Sequence, residues 1–358
     1  MRDPTTDLPY ALGGPVGAGS VKQAPEDFIV EEILGFQPSG EGEHVFLFIE
    51  KRGENTDYVA RQLARHAGVP ARQVGYAGLK DRQGLTRQWF SIQLPGVRDP
   101  DWTTFESDAV RILEVGRNAR KLRKGAAGGN RFELTIRDLE APDESVEERL
   151  ATITAVGVPN YFGPQRFGRE GRNLERALEL FADSRMRVDP HQRGLYLSAA
   201  RAEIFNRILG ARVRAGNWNR AIPGDVFMFA DSHSFFKPEP LAEDTVQRVR
   251  HRAIHPSGVL WGTTPSTATG EAMAIEQETT RALSAYTTGL ERMGVATARR
   301  PFRLCPDNLA WTWPSPNTLR LTFNLPSGAY ATTLLRELLR CDNFVALPPN
   351  PSGAAAHA

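Results

Sequence analysis

Strand-like and helix-like patterning are segregated along this chain. Strand signals dominate up to about residue 156, helical signals from about 157 to 300, and paired strand signals return between Ala310 and Phe323. This order predicts an α+β domain interrupted by a second domain, with the sheet of the first completed by the C-terminal end. A chain of 358 residues exceeds the size at which a single core usually stops growing, which agrees with two domains.

The individual elements follow from period and punctuation. His44 to Glu50 is a short apolar, β-branched and aromatic run that reads as a buried strand. A helix follows, capped at Asn55 or Thr56, with Val59, Leu63 and Ala67 on one face and Gly68 and Pro70 as the stop. Strands are expected at Gln88 to Leu94, at Val110 to Val115, and at Phe132 to Ile136, where Phe132, Leu134 and Ile136 alternate with polar neighbours. Glu144 to Val156 reads as an amphipathic helix burying Val146, Leu150 and Ile153.

Beyond it, helices are expected at Leu174 to Phe181, Ala199 to Val213, Glu243 to Arg252 and, as one long element, Ala272 to Met293. Gly224 to Phe229 reads as a strand and Pro256-Ser257-Gly258 as a turn. Strands at Ala310 to Trp313 and Thr318 to Phe323, then a helix from Ala331 to Leu339, precede a Pro- and Ala-rich tail expected to be disordered.

Composition narrows the function classes. Cys305 and Cys341 form neither a metal-ligand spacing nor a disulfide framework, and the seven histidines are scattered, so no metal is expected. No apolar run suits a secretory signal or a membrane span, which predicts a soluble protein of the reducing cytoplasm. The net charge of +2 hides a strong local asymmetry. Between Arg117 and Arg131 stand six cations, Arg117, Arg120, Lys121, Arg123, Lys124 and Arg131, without an acid, next to Gly125, Gly128 and Gly129. Such a segment suits phosphate, and several neutralised phosphates mean nucleic acid.

Against this basic background one carboxylate stands out. Asp81 lies in Gly75-Tyr76-Ala77-Gly78-Leu79-Lys80-Asp81-Arg82, a loop between the first helix and the strand at Gln88, with Arg87 beyond. Lys80, Arg82 and Arg87 favour its ionised form, and the glycines at 75, 78 and 84 permit turns and close approach. Asn130-Arg131-Phe132 offers polar readout beside a ring that could stack on an unpaired base, although periodicity alone makes Phe132 a core residue.

These segments carry a resemblance. Lys22-Gln23-Ala24-Pro25-Glu26-Asp27-Phe28, Gly75 to Asp81, Arg120-Lys121-Leu122-Arg123, Gly129-Asn130-Arg131-Phe132, Val158 to Gly168, Leu197-Ser198-Ala199-Ala200-Arg201 and Leu325 to Thr332 occur in the order of one known family. From about Gly19 to Leu339 the chain resembles the TruD family of tRNA pseudouridine synthases.

The resemblance implies a mixed or antiparallel-sheet catalytic domain, 1–156 with 301–345, split around an inserted α/β TRUD domain at 157–300, with 346–358 as the tail. It implies isomerisation of uridine 13 of tRNA, with no metal, organic cofactor or obligate protein partner. Asp81 stands at the place of the catalytic aspartate and Lys22 at that of its accompanying cation, with Lys80 as a second support. Phe28, Asn130 and Tyr330 fall where substrate contacts lie, and Phe132 where a ring packs on the target base. The family pattern has phenylalanine where Tyr330 stands. The inserted domain is expected to clamp the tRNA through Arg166, Arg169 and Arg201.

The reaction breaks N1–C1′, turns the uracil over and joins C5 to C1′. Asp81 serves it as a nucleophile on C1′ or a base at C2′. A phosphoryl-transfer enzyme would need a second carboxylate for magnesium near Asp81, which Arg82-Gln83-Gly84 does not offer. A purely tRNA-binding protein would leave Asp81 without a purpose.

Overall fold

The alternation at Phe132, Leu134 and Ile136 extends in both directions, and the longest strand among the described residues, Ala127–Glu140, forms there. The protein is seen in a computed structural model that describes residues 3–82, 84–96, 99–183 and 185–341. The expected tail at 346–358 lies outside the described residues. The chain forms two units. One comprises Val16–Glu147, Pro306–Ala331 and the chain from Leu339, and the other the chain up to Pro15, Glu148–Cys305 and Thr332–Leu338.

In chain order the first elements are β1 (Ala18–Ser20), β2 (Phe28–Leu34), β3 (His44–Arg52), α1 (Thr56–His66), β4 (Val74–Tyr76), β5 (Leu85–Gln93), β6 (Val110–Asn118), β7 (Ala127–Glu140) and α2 (Asp143–Val156). There follow β8 (Val158–Pro159), α3 (Arg172–Ala182), α4 (Pro190–Arg214), β9 (Val226–Phe229), β10 (Phe235–Phe236), α5 (Glu243–Arg250), β11 (Ile254–Leu260), α6 (Gly270–Arg281), α7 (Ser284–Arg292), β12 (Ala298–Pro301) and β13 (Arg303–Leu304). The last are β14 (Asp307–Ser315), β15 (Thr318–Pro326), α8 (Ala331–Leu338) and β16 (Arg340–Cys341).

The sheet of the first unit runs β14-β15-β7-β2-β5-β3-β6. It is mixed, because β2 and β5 pair parallel while β7 pairs antiparallel with both β2 and β15. The late hairpin completes a sheet begun early, since β15 runs along β7 from Leu319 opposite Ile136 to Pro326 opposite Gly129. Helix α1 is capped by Asn55, whose side chain accepts from the Asp57 N–H. Its Val59, Leu63 and Ala64 pack on Val45, Leu47 and Ile49 of β3 and on Phe90 and Ile92 of β5.

The second unit has a four-stranded sheet, β10-β9-β11-β12, and the long helix α4, which buries Ile204, Phe205, Ile208 and Leu209. Two expectations are corrected here. Pro256-Ser257-Gly258 is not a turn but the middle of β11, paired with β9 and β12. Gly258 is required because a Cβ would lie 2.4 Å from the Phe302 ring, so the glycine serves packing.

The single helix expected from Ala272 to Met293 is two, α6 and α7. The chain leaves helical geometry at Leu283 (φ −110°, ψ 19°), and α7 sets Gly289 under Phe181, where a Cβ would lie 2.2 Å from the ring. Among the described residues no helix is long and apolar enough to cross a membrane. Among them, too, no three His, Cys, Asp or Glu residues gather to hold a metal ion.

Candidate active site

Residues paired across a ladder project to the same side of a sheet. Register therefore aligns Glu32, Asn130 and Leu325 in one row, Val30, Phe132 and Phe323 in the next, and Phe28, Leu134 and Leu321 in a third. On β5, Thr86 pairs with Val30 and so shares this face, as does Gln88 two residues on. Toward β3 the same face is the one α1 covers. Toward β7 and β15 it carries the candidate site.

The Asp81 loop is fastened over this face by hydrogen bonds to named side chains. The Lys80 N–H donates to Thr56 Oγ1 (3.1 Å), which in turn donates to Gln88 Oε1 (2.9 Å). Gln88 Nε2 donates to the Gly78 carbonyl at 3.2 Å. Lys80 Nζ bonds Glu32 Oε2 at 2.6 Å, and Glu32 Oε1 accepts from the Trp89 N–H. A cation paired with a carboxylate and backbone donors is how a charge survives burial at this depth. Gly84 closes the loop, since a Cβ there would lie 2.4 Å from the Phe28 carbonyl oxygen. Gly78 has open space around it, so of the three glycines only Gly75 and Gly84 answer a steric need.

Lys22, just past the end of β1, reaches Asp81. Its Nζ lies 2.6 Å from Asp81 Oδ2 and 4.1 Å from the centre of the Phe28 ring, and its side chain is 4% exposed against 39% for Asp81. The ammonium is thus sealed behind the carboxylate, while the carboxylate faces solvent. To make this reach Lys22 adopts a left-handed backbone (φ 62°), which costs a non-glycine residue roughly 1 kcal/mol. The neighbouring turn is held by Asp27, which accepts from the Ala24 N–H and takes a fork of bonds of 2.8–3.1 Å from Arg137. Of the motif Lys22 to Phe28, then, the two ends meet, with Lys22 also holding Asp81, and Asp27 is a staple.

Aromatic rings line the adjoining part of the face. Phe132 stacks on Phe323 (5.3 Å, 19° between planes) and meets Phe28 edge-on at 6.3 Å. Phe132 is buried, so the core reading is satisfied by geometry that also leaves it beside Phe28. Asn130 Oδ1 is buried and has no hydrogen-bond partner among the described residues. Tyr330 lies, half-buried, in the turn between β15 and α8.

Known proteins can now be compared. The family model described as tRNA pseudouridine synthase D (TruD) matches residues 8–176 and 171–338. The chain belongs to this family.

It is 51% identical over 336 residues to the tRNA pseudouridine synthase D of Methylococcus capsulatus, covering 94% of this chain and 95% of that one. Its identity to the protein of the same name from Nitrosococcus oceani is 47% over 343 residues, covering 95% and 96%. A solved structure from Methanosarcina mazei, assigned to tRNA pseudouridine synthase D, superimposes with a TM-score of 0.68 at 25% identity, covering 92% of this chain and 95% of that one.

Within this TruD-family chain the structure sorts the expected cations. Arg87 pairs with Glu50 (2.8 Å) and Glu31 (3.2 Å) on the opposite sheet face, so it does not serve Asp81, and Arg82 Nε donates to the Gly53 carbonyl. Lys80 serves the loop through Glu32. Arg131 stands opposite Glu31, on the face away from Asn130 and Phe132. Arg117 pairs with Asp99, which lowers the expected charge of the basic segment. Arg120, Arg123 and Lys124 are exposed, over a loop pinned by buried Leu122.

In the second unit Arg169 is exposed, whereas Arg201 donates to the carbonyls of Leu260 and Ala296 and Arg166 donates to Ser198 Oγ beside the Phe162 ring. The surrounding motif is a structural knot. Asn160 binds the backbone of Pro301 and Phe302, and Asn206 exchanges bonds with the Phe162 backbone.

Four residues of the site escaped the sequence reading: Glu32, Lys51, Thr56 as a clamp, and Gln88. Lys51 is 1% exposed, donates to the Glu54 carbonyl at 2.8 Å, and shares the face of Thr86. Burial, reinforced by the nearby charge of Lys80, pushes its ammonium down to about 8 against the pull of Asp81 and Glu54. The available signal was a charge embedded in an apolar strand, Glu32 in β2 and Lys51 in β3.

Proposed function

We propose that Asp81 is the reacting carboxylate with which this chain, a tRNA pseudouridine synthase by family, isomerises uridine 13 of tRNA. The observation that carries the assignment is the pair itself: a sealed ammonium 2.6 Å behind a carboxylate that is 39% exposed to solvent, on a loop clamped to the sheet. Lys22 stabilises the anion that either opening step requires, attack on C1′ or removal of a C2′ proton. Glycosidic cleavage separates N1 from C1′, the uracil turns, and C5 bonds to C1′. The C5 proton is then lost and N1 gains one, so the atoms of the base are conserved.

Phe28 and Phe132 provide an apolar wall that holds the ring without fixing its rotation, and Tyr330 lies in the turn that follows β15. The unpartnered Asn130 Oδ1 is an acceptor for the N3–H of uracil, a donor that cytosine lacks. Phe132 has no group to take the C5 proton, so water or Asp81 receives it.

The catalytic role belongs to the unit that carries β2, β5, β7 and β15. The helix-rich unit contributes tRNA binding, through exposed Arg169 in the first place. Asp81→Asn tests the assignment: it should abolish tritium release from C5-labelled tRNA and carbodiimide-detectable product while tRNA still binds. Retained turnover would reject Asp81.

A further inference from the structure

The basic segment does not simply face solvent. Lys121, Arg123 and Lys124 line a concavity of about 470 Å³ together with Arg61 of α1 and Arg72 of the turn after it. The floor is β4, and the loop is drawn down at three points around it: before it, beside it on β5 and just after it. Lys121 Nζ donates to the Arg72 carbonyl, the Leu122 N–H donates to Ser91 Oγ (3.0 Å), and the Gly125 N–H donates to the Ala77 carbonyl (2.8 Å). Gly75 makes the approach possible, because a Cβ there would lie 2.4 Å from the Leu122 carbonyl oxygen.

Charge in this concavity is unbalanced. Among the described residues none of the five cations has a carboxylate within ion-pair distance, whereas Arg87, Arg117, Arg137, Arg207 and Arg212 elsewhere all do. The one acid in the lining, Asp57, accepts from the Tyr76 hydroxyl. Five like charges around one hollow repel each other, and an anion seated among them relieves that repulsion. Arginine forks match the oxygens of a phosphate in particular.

The strand under the hollow runs directly into the Asp81 loop. From Tyr76 to Asp81 is five residues, at most about 18 Å of chain. That bound keeps the hollow near enough to a uridine seated at Asp81 for a flanking phosphate to reach it.

We propose that the concavity between Arg61, Arg72 and the Lys121–Lys124 loop binds a phosphodiester of the RNA strand flanking the reacting uridine. The inference rests on the tRNA-isomerase reading, and the test separates the two. Arg61 and Arg72 are exposed, so the double variant Arg61→Ala/Arg72→Ala is expected to fold, as checked by its melting curve.

With the full chain and an unmodified tRNA transcript, the variant should bind about tenfold more weakly at physiological salt. The slope of log K against log salt should flatten by about 1.5 to 2, and kcat/KM should fall in step. Arg65→Ala, an exposed arginine of α1 outside this hollow, should leave slope and turnover unchanged. An unchanged slope in the double variant, or an equal loss in Arg65→Ala, overturns the site. So does binding of uridine monophosphate that depends on Arg61 and Arg72 while tRNA binding does not, which would give the hollow to a free nucleotide. If instead the wild-type chain forms no pseudouridine yet the double variant weakens tRNA binding, the isomerase reading fails and the phosphate site stands.

Discussion

At the scale of single residues the site joins one solvent-facing carboxylate to a set of buried charges, and all but one of these charges sit in an ion pair. Asp81 has Lys22 and Glu32 has Lys80, whereas Lys51 donates to the Glu54 carbonyl with the Lys80 cation nearby and the Asp81 and Glu54 carboxylates pulling less strongly than burial pushes. Its folded-state value of about 8 lies below the ordinary 10.5, so between these values the unfolded chain binds the proton that the folded chain has released. Unfolding free energy therefore rises with pH across that window. Urea titrations at pH 8.0, 8.8 and 9.5 should show stability increasing for the wild type and a flatter dependence for Lys51→Met. Parallel dependences would show that Lys51 keeps its proton in the fold. Residue types and their order were enough to single out Asp81 and Asn130, and the family resemblance added Lys22 and Phe28. They could not reveal that Arg87 is spent on Glu31 and Glu50, because the sheet face of a side chain depends on register.

At the scale of elements, function depends on how tightly loops are pressed onto strands. β4 is only three residues long, yet it supports the Asp81 loop at one end and the basic loop along its length. Gly75→Ala should therefore act at a distance. The new methyl meets the Leu122 carbonyl at 2.4 Å and Ser91 Oγ at 2.8 Å, neither of which can yield cheaply. We expect a loss of roughly 1–3 kcal/mol in stability, the usual cost of overpacking, and weaker tRNA binding as the basic loop lifts. A variant with wild-type melting and wild-type affinity would mean that the loop adapts. The helices with strong one-sided patterning, α1 and α3, were legible because apolar spacing is a local signal, as is the Asn55 cap of α1. The strand β11 was not, because Pro256 and Gly258 signal a turn locally and only Phe302 and Phe205 explain the glycine.

At the scale of the molecule, the sheet that holds the site is assembled from both ends of the chain. β7 lies between β2 and β15, and β15 arrives nearly two hundred residues later. A chain ended after Cys305 lacks β14 and β15 and exposes the β7 edge that carries Asn130 and Phe132. Such a fragment should unfold in a broad, weakly cooperative transition and be cut rapidly by protease within β7, while the full chain resists. A sharp transition like that of the full chain would show that the early strands form a stable sheet alone.

The sequence by itself determined the order of strand, helix and strand, the family and the basic character of the segment after Arg117, and it singled out Asp81 as the carboxylate to propose, because these rest on local period, motif order and residue chemistry. Tertiary structure decided which cations are free to meet RNA and which are consumed in ion pairs, that Lys22 bends into a left-handed backbone to reach Asp81, and that Arg61 and Arg72 join the basic loop around one hollow. These are consequences of register and of which surfaces meet, and such relations between distant residues are not carried by the local patterns that a single sequence displays.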